Sequence, residues 1–282
     1  MDIAFHKMHG TLNDFVVFYD PDARVNLSPQ QIAAICHRRA GVGADGVIAV
    51  RPSDTADFFM DYINADGSPA EMCGNGIRCL AKYVYDTGLT EKTKLPVETR
   101  AGIKFVELIA GDDGFVDRVR IDMGAPMFDP ASIPVTIQTD GSPISDYAVE
   151  AKDRIFHATI LSMGNPHCVI FQDGDIEDLP RTYGPTIETH ALFPKKTNVE
   201  FVRVLDRGRI VMRVWERGSG ETYACGTGAC ASAVAARLRG AVDEECVVEL
   251  LGGILEVSWK GNTYPVIMTG NSTKSYEGIL TI

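Results

Sequence analysis

Residues 71–81 read EMCGNGIRCLA and residues 223–233 read YACGTGACASA, so Cys-Gly-(Asn or Thr)-Gly occurs twice, at Cys73 and Cys225, each time opening an apolar run of helical spacing. A cysteine at a helix start sits in the positive end of the backbone dipole, which lowers a thiol pKa from about 8.5 toward neutrality. The glycines that follow carry no side chains, so backbone N–H groups stand open to an anion such as a carboxylate. One such site is a candidate nucleophile or base. Two of them, on opposite faces of one amino acid, suit inversion of its α-carbon. A thiolate removes the α-proton, a thiol delivers another from the far side, and N–H donors on the carboxylate stabilise the carbanion-like intermediate.

Other fates of the cysteines compete with this one. A passive cysteine in a glycine-rich helix start accounts for either copy alone, and two facing low-pKa thiols are also able to form a disulfide. The spacings from Cys73 to Cys79 and from Cys225 to Cys230 miss the usual zinc knuckle and neither segment contains histidine, so no metal is expected. Seven cysteines, an odd number, do not read as a disulfide framework. Cys36, Cys168 and Cys246 lie among apolar neighbours, and Cys79 and Cys230 fall on the helices after the motifs, so all five read as core residues.

Those helices need a frame. Runs of strand character cover 15–19, 46–50, 58–63, 103–109, 116–123, 158–163, 168–171, 199–205, 210–215, 247–251 and 254–259. Turn signals at Asp206-Arg207-Gly208 and Gly252-Gly253 join several of them as antiparallel hairpins. Ser28-Pro29 opens a first helix that ends near Gly41, and the helices after Cys73 and Cys225 end near Gly88 and Gly240. The segment from Gly226 to Arg239 has almost no polar face, so strands are expected to wrap it. Strand, turn, Cys-Gly-x-Gly and core helix thus repeat about half a chain apart, which predicts two similar halves.

The totals fit a protein of about two domains: 282 residues, 45% hydrophobic and 23% charged. A formal charge of −11 argues against nucleic acid or an anionic membrane surface as partner, because both repel an acidic chain. A small zwitterion is not repelled. The N-terminal residues lack a basic start followed by an apolar stretch, and no apolar run approaches a membrane span, so a cytoplasmic location is the expectation.

At this point the sequence resembles the diaminopimelate epimerase family. The resemblance runs through Phe5-His6-Lys7-Met8-His9-Gly10, Asn13-Asp14-Phe15, Gly43-Ala44-Asp45-Gly46, Asn64-Ala65-Asp66-Gly67-Ser68 and the Cys73 motif. It continues in Met163-Gly164-Asn165-Pro166-His167, Thr197-Asn198-Val199-Glu200-Phe201, Glu216-Arg217-Gly218 and the Cys225 motif. It implies an α/β (α+β by strict class) fold of two pseudo-symmetric lobes, each a mixed, mostly antiparallel sheet around a central helix, with the active site in the cleft between them. The lobes expected are 1–123 plus 270–282, carrying Cys73, and 124–269, carrying Cys225.

The activity implied is cofactor-independent, two-thiol interconversion of LL- and meso-diaminopimelate, with Cys73 and Cys225 as the catalytic pair. Gly74, Asn75, Gly226 and Thr227 resemble donors around the reacting amino acid; Asn13, Asn64, Asn165, Asn198, Glu216 and Arg217 resemble substrate contacts. His167 and Glu216 resemble residues that tune the thiols, and Tyr276 resembles an interface tyrosine of a homodimer. Arg217 supplies a bidentate fork for a distal carboxylate, and the Asn and Glu groups supply acceptors for a distal ammonium. Gly46 stands where some family members have a substrate-contacting glutamine, so no contact is assigned there. A two-cysteine racemase of another amino acid, such as histidine, and a non-catalytic amino-acid-binding protein are the competing readings.

Overall fold

A computed structural model describes residues 1–139 and 142–282, which form two compact units, Met1–Asp122 with Thr269–Ile282 and Met123–Met268. The first unit contains strands β1 (Asp2–Gly10) and β2 (Asn13–Tyr19), helix α1 (Pro29–Cys36), strands β3 (Gly46–Arg51) and β4 (Phe58–Asn64), helix α2 (Gly74–Asp86), and strands β5 (Lys94–Thr99), β6 (Gly102–Ala110) and β7 (Val116–Asp122). The second contains β8 (Ile144–Ala151), β9 (Arg154–Ser162), β10 (Pro166–Phe171), helix α3 (Leu179–Glu188), β11 (Asn198–Asp206), β12 (Arg209–Glu216), the short β13 (Gly220–Glu221), helix α4 (Gly226–Leu238), β14 (Glu245–Leu250) and β15 (Gly253–Ser258). The chain ends through β16 (Ile267–Asn271) and β17 (Thr273–Thr281).

The ladders of the two units follow one scheme. In the first, β1 and β2 are antiparallel, β2 and β3 parallel, β3 and β4 antiparallel, β4 and β5 parallel, and β5 and β6 antiparallel. In the second, the same alternation runs through β9, β10, β11, β12, β14 and β15. A parallel pair needs a crossover, and helices fill all four: α1 and α2 in one unit, α3 and α4 in the other. Helices α2 and α4 are both 13 residues long, and their starts at Gly74 and Gly226 are 152 positions apart (226 − 74). Strands β1 and β9 begin at Asp2 and Arg154 with the same offset.

Each Cys-Gly-x-Gly helix is the centre of its unit. Helix α2 packs on β1, β2, β7, β3, β4 and β6, and α4 on β11, β15, β10, β12, β14 and β9. Ile77, Cys79, Leu80, Ala81 and Val84 of α2 are fully buried, as are Ala229, Cys230, Ala231, Val234, Ala235 and Ala236 of α4. Both helices stop in the same way. Gly88 and Gly240 take left-handed φ values of 73° and 70°, and Leu89 and Ala241 donate back to the carbonyls of Val84 and Ala236 at 2.9 Å each. Helix α1 begins with the capping box that Ser28-Pro29 announces, Ser28 and Gln31 exchanging side-chain to backbone bonds.

Seven of the described elements have no counterpart among the runs read from sequence: helix α3 and strands β1, β5, β8, β13, β16 and β17. Helix α3 contains Pro180, Gly184 and Pro185, all poor helix formers, yet Gly184 is what allows the helix to lie on Trp215, whose Cβ and Cγ stand 2.5 Å from where a Cβ would sit. Strand β5 is interrupted by Pro96, while β1, β8 and β17 carry charged or polar residues at alternate positions and gain their regularity from a partner strand. At Gly46 an added Cβ would meet Tyr62 at 2.5 Å and the Ile63 carbonyl at 2.6 Å, so β3 accepts no side chain at that point. Among the described residues no helix is long and apolar enough to cross a membrane.

Candidate active site

In the first unit, the turn between β4 and α2 places Cys73 as the N-cap of α2, its sulfur 3.5 Å from the Gly76 N–H. The N–H groups of Gly74 and Asn75 lie in the first turn, where a helix supplies no internal acceptor. Asn13, at the start of β2, is brought to the same point: the Cys73 Sγ donates to Asn13 Oδ1 at 3.4 Å, and Asn75 Nδ2 donates to that same oxygen at 3.2 Å. Asn13 Nδ2 in turn donates to Asp45 Oδ2 at 2.8 Å. Asn64 stands at the end of β4 and donates to Ser68 Oγ at 3.1 Å, the turn contact its Asn-Ala-Asp-Gly-Ser context suggests; no bond links it to Cys73 among those described.

Strong charges stand behind Asn13. Lys7 and Arg38 pair with Asp14 at 2.7 and 2.9 Å, and Arg38 also reaches Asp45 at 2.5 Å. Burial alone would raise the Asp14 carboxyl, but the hydrogen bonds and charges of Arg38 and Lys7 hold it at about 2. Arg78, one turn along α2, is completely buried and donates to the carbonyls of Gly74 and Asn271, to Thr11 Oγ1 and to Asn75 Oδ1. Tyr276, on β17, is 46% exposed, packs edge-on against Phe5 at 6.2 Å and donates to the Val42 carbonyl.

In the second unit, Cys225 is the N-cap of α4, its sulfur accepting from the Gly228 N–H at 3.4 Å and standing 3.5 Å from Thr227 Oγ1. Asn165 occupies the position that corresponds to Asn13 (165 − 13 = 152) and touches the residue two after the cysteine, as Asn13 does, through a 3.3 Å bond from its Nδ2 to Thr227 Oγ1. His167 follows on β10, with Nε2 2.9 Å from Asn165 Oδ1 and Nδ1 2.7 Å from Glu200 Oε1. Both His167 and Glu200 are fully buried, and Glu200 Oε2 has no partner among the described residues. Glu216, at the end of β12, accepts from Thr222 Oγ1 at 2.5 Å and lies close enough to Cys225 for their charges to couple.

The thiol environment corrects one expectation from sequence. A helix start lowers a thiol pKa, yet Cys225 lies well above its ordinary value: burial is the largest cause, and the carboxylates of Glu216 and Glu200 add to it. The bonds from Thr227 and Gly228 act in the opposite direction and lose. Half-charges at a helix end are outweighed by desolvation and two nearby full charges. Glu216 is itself raised, again by burial first. Asn198 and Arg217 meet through the backbone: Asn198 Oδ1 accepts from the Arg217 N–H at 3.0 Å and its Nδ2 donates to the Pro166 carbonyl at 2.8 Å, leaving the Arg217 side chain on the exposed side. Gly226 and Thr227 occupy the first turn of α4.

Four polar side chains of these half-sites have no role assigned from the sequence. Asp45 and Glu200 lie inside motifs that carry the resemblance and Arg78 in the run after Cys73, but as residues each shows only a charge set in an apolar run or turn, which burial forces to find partners. Glu188, at the end of α3, accepts from Trp215 Nε1 at 2.8 Å and from the Gly218 N–H at 3.0 Å, and so braces the Glu216–Gly218 turn from a helix that proline disguises.

The family model for diaminopimelate epimerase matches residues 5–128 and 159–275. The chain is 47% identical over 292 aligned residues to the diaminopimelate epimerase of Agathobacter rectalis, covering 99% of this chain and 100% of that one. It is 48% identical to the protein of that name from Moorella thermoacetica, covering 97% and 98%. Among solved structures it resembles a hydroxyproline epimerase from Agrobacterium vitis (TM-score 0.70, 14% identity, 99% and 92% covered). It also resembles a phenazine biosynthesis protein of the PhzF family from Bacillus anthracis (TM-score 0.69, 17% identity, full coverage of both). Those two likenesses concern the fold alone. The near-complete match at this level of identity, with both cysteine-capped helices inside the matched segments, establishes that the chain belongs to the diaminopimelate epimerase family.

Proposed function

We propose that the chain inverts one α-carbon of diaminopimelate, interconverting the LL and meso isomers, with Cys73 and Cys225 as the acid/base pair and no cofactor. The observation that carries this reading is the duplicated helix start: two thiols cap equivalent helices of two equivalent units, each beside an asparagine at the same repeat position. A reaction with two mirror-related faces needs two such groups.

Before substrate arrives the Cys73 sulfur faces Asn13 Oδ1 as donor, and burial first, then the Glu216 and Glu200 carboxylates, disfavour the Cys225 thiolate. Glu216 lies beside Cys225 and burial raises its carboxyl from the ordinary carboxylate value, so it is the group assigned to accept the Cys225 proton. The Cys225 thiolate then removes the α-proton while the Cys73 S–H delivers one from the opposite face; the reverse reaction exchanges the two roles. First-turn N–H groups of Gly74, Asn75, Gly226 and Thr227 are the donors for the charge that develops on the α-carboxylate. Asn13, Asn64, Asn165, Asn198, Glu216 and Arg217 are assigned to binding, Arg217 through its exposed guanidinium, and His167 with Glu216 to tuning the thiols. The same reading makes the enzyme a cytoplasmic homodimer, supported by an exposed Tyr276 on β17.

Incubation with LL-diaminopimelate in heavy water should place deuterium at the α-carbon and form the meso isomer, and Cys73→Ala or Cys225→Ala should abolish inversion. Histidine and lysine run alongside should not exchange. Wild-type protein that exchanges no α-proton of any amino acid would end the enzymatic reading; exchange on histidine alone would transfer it to another substrate.

A further inference from the structure

Two asparagines join Cys73 to the rest of its half-site, and an amide is able to present either its oxygen or its nitrogen. Here the choice is made at the ends of the chain of bonds. Asp45, as a carboxylate, only accepts, so Asn13 must turn its Nδ2 toward it, at 2.8 Å. Arg78 only donates, so Asn75 must turn its Oδ1 toward it, also at 2.8 Å, and that oxygen takes a second bond from Thr11 Oγ1 at 3.1 Å. With both ends set, Asn75 Nδ2 meets Asn13 Oδ1, and the same oxygen faces Cys73 Sγ at 3.4 Å. No other arrangement satisfies all four groups.

We propose that Asp45 and Arg78 are positioning residues that lock Asn13 with its carbonyl oxygen toward the Cys73 sulfur. The oxygen accepts from the thiol and repels the thiolate, so it orients the S–H when Cys73 is the acid and keeps the thiolate basic when Cys73 is the base. A basic thiolate is what a weakly acidic α-proton demands. Asp45 is itself held by Arg38 and by the Asp14 N–H at 3.1 Å, and Arg78 is enclosed at full burial, so neither end rotates freely. The charged and titratable groups around this chain are Lys7, His9, Asp14, Cys36, Arg38 and Asp45 on one side and Arg78 and Cys79 on α2.

Asp45→Asn removes the acceptor-only end, leaves the Asn13 amide held by the Asn75 N–H alone, and so raises the share of Asn13 that turns its own N–H to the sulfur. Exchanging an acceptor for a donor beside the thiolate corresponds to about a five-fold rise in thiolate fraction near neutral pH. Because nucleophilicity falls as basicity falls, iodoacetamide labelling of Cys73, read by peptide mass spectrometry across pH, should rise about two- to three-fold with its midpoint shifted to lower pH. Epimerase kcat should fall. Arg78→Lys, which keeps the charge but loses the fork, should move both readouts in the same directions by less. Added to Asn13→Ala, Asp45→Asn should have no further effect on the labelling profile, because it acts through Asn13. An unchanged labelling midpoint in Asp45→Asn, or an equal shift in the Asn13→Ala background, would overturn the assignment. The labelling arm needs no activity, so its failure is separable from failure of the epimerase reading, on which only the kcat arm rests.

Discussion

Gly76 and Gly228 occupy the same position in the two cysteine-capped helices, and alanine should have opposite effects at them. At Gly228 an added Cβ would lie 2.8 Å from Glu200 Oε1 and 3.3 Å from the Cys225 sulfur. Ordinary contact begins at 3.4 Å, so the carboxylate has to retreat by roughly 0.6 Å from a fully buried position. That movement breaks the 2.7 Å bond to His167, and a hydrogen bond to a charged group contributes about 1.5–3 kcal/mol. Against it stands at most about 1 kcal/mol from replacing glycine in a helix. At Gly76 the nearest atom is the terminal methyl of Ile48 at 3.0 Å, the far end of an apolar side chain, which has to shift by less than the Glu200 carboxylate and breaks no hydrogen bond in doing so. Gly228→Ala should therefore lose about 1–2 kcal/mol and Gly76→Ala should be neutral or gain a few tenths. Near the midpoint, 1 kcal/mol corresponds to about 2–4 °C for a chain of this order of size, a difference that thermal unfolding by circular dichroism resolves. Equal stability of the two variants, or greater loss at Gly76, would refute the placement of Glu200 beneath the α4 start.

Other expectations follow from the charges. Glu216 is raised in the folded chain, so the stability linked to its neutral form is fully present below the unfolded carboxylate pKa and is lost as pH rises through the folded value; Glu216→Gln should raise the melting temperature at pH 8 relative to pH 5 while removing most activity. Glu188 behaves in the opposite sense: burial opposes its ionisation, but bonds from Trp215, Gly218 and Lys196 lower its pKa, so its contribution is present above the unfolded pKa and lost on acidification. Glu188→Gln should cost about 1–2 kcal/mol at pH 7 by urea unfolding and should converge on wild type in acid. Alkylation of the native protein should label Cys73 first, because the other six cysteines are buried; burial pushes Cys36 and Cys246 to about 11 and Cys79 to about 12. Labelling of Cys225 ahead of Cys73 would contradict the thiol environments described.

The legible parts of the protein were those in which local chemistry and burial agree. The Cys-Gly-x-Gly starts, the glycine stops at Gly88 and Gly240 and the apolar course of α4 all follow from short-range rules, and the strands at 46–51 and 198–206 are apolar enough to announce themselves. Helix α3 and strand β5 were hidden because proline and glycine argue against them locally, and packing on Trp215 or a ladder to β6 overrides that argument.

By itself the sequence determined that the chain holds two thiols of one kind, each at a helix start, in two halves built alike, since spacing and residue type suffice for those inferences. Only the tertiary structure decided how the two thiols differ. Cys73 faces an amide oxygen oriented by Asp45 and Arg78, which lie 28 positions before it and five after it in the chain (73 − 45; 78 − 73). Cys225 is raised by burial first and then by Glu216 and Glu200 from two different strands, against the pull of its own helix. A pKa depends on which charges lie within a few ångströms and on how much water is excluded, and both are properties of the folded chain.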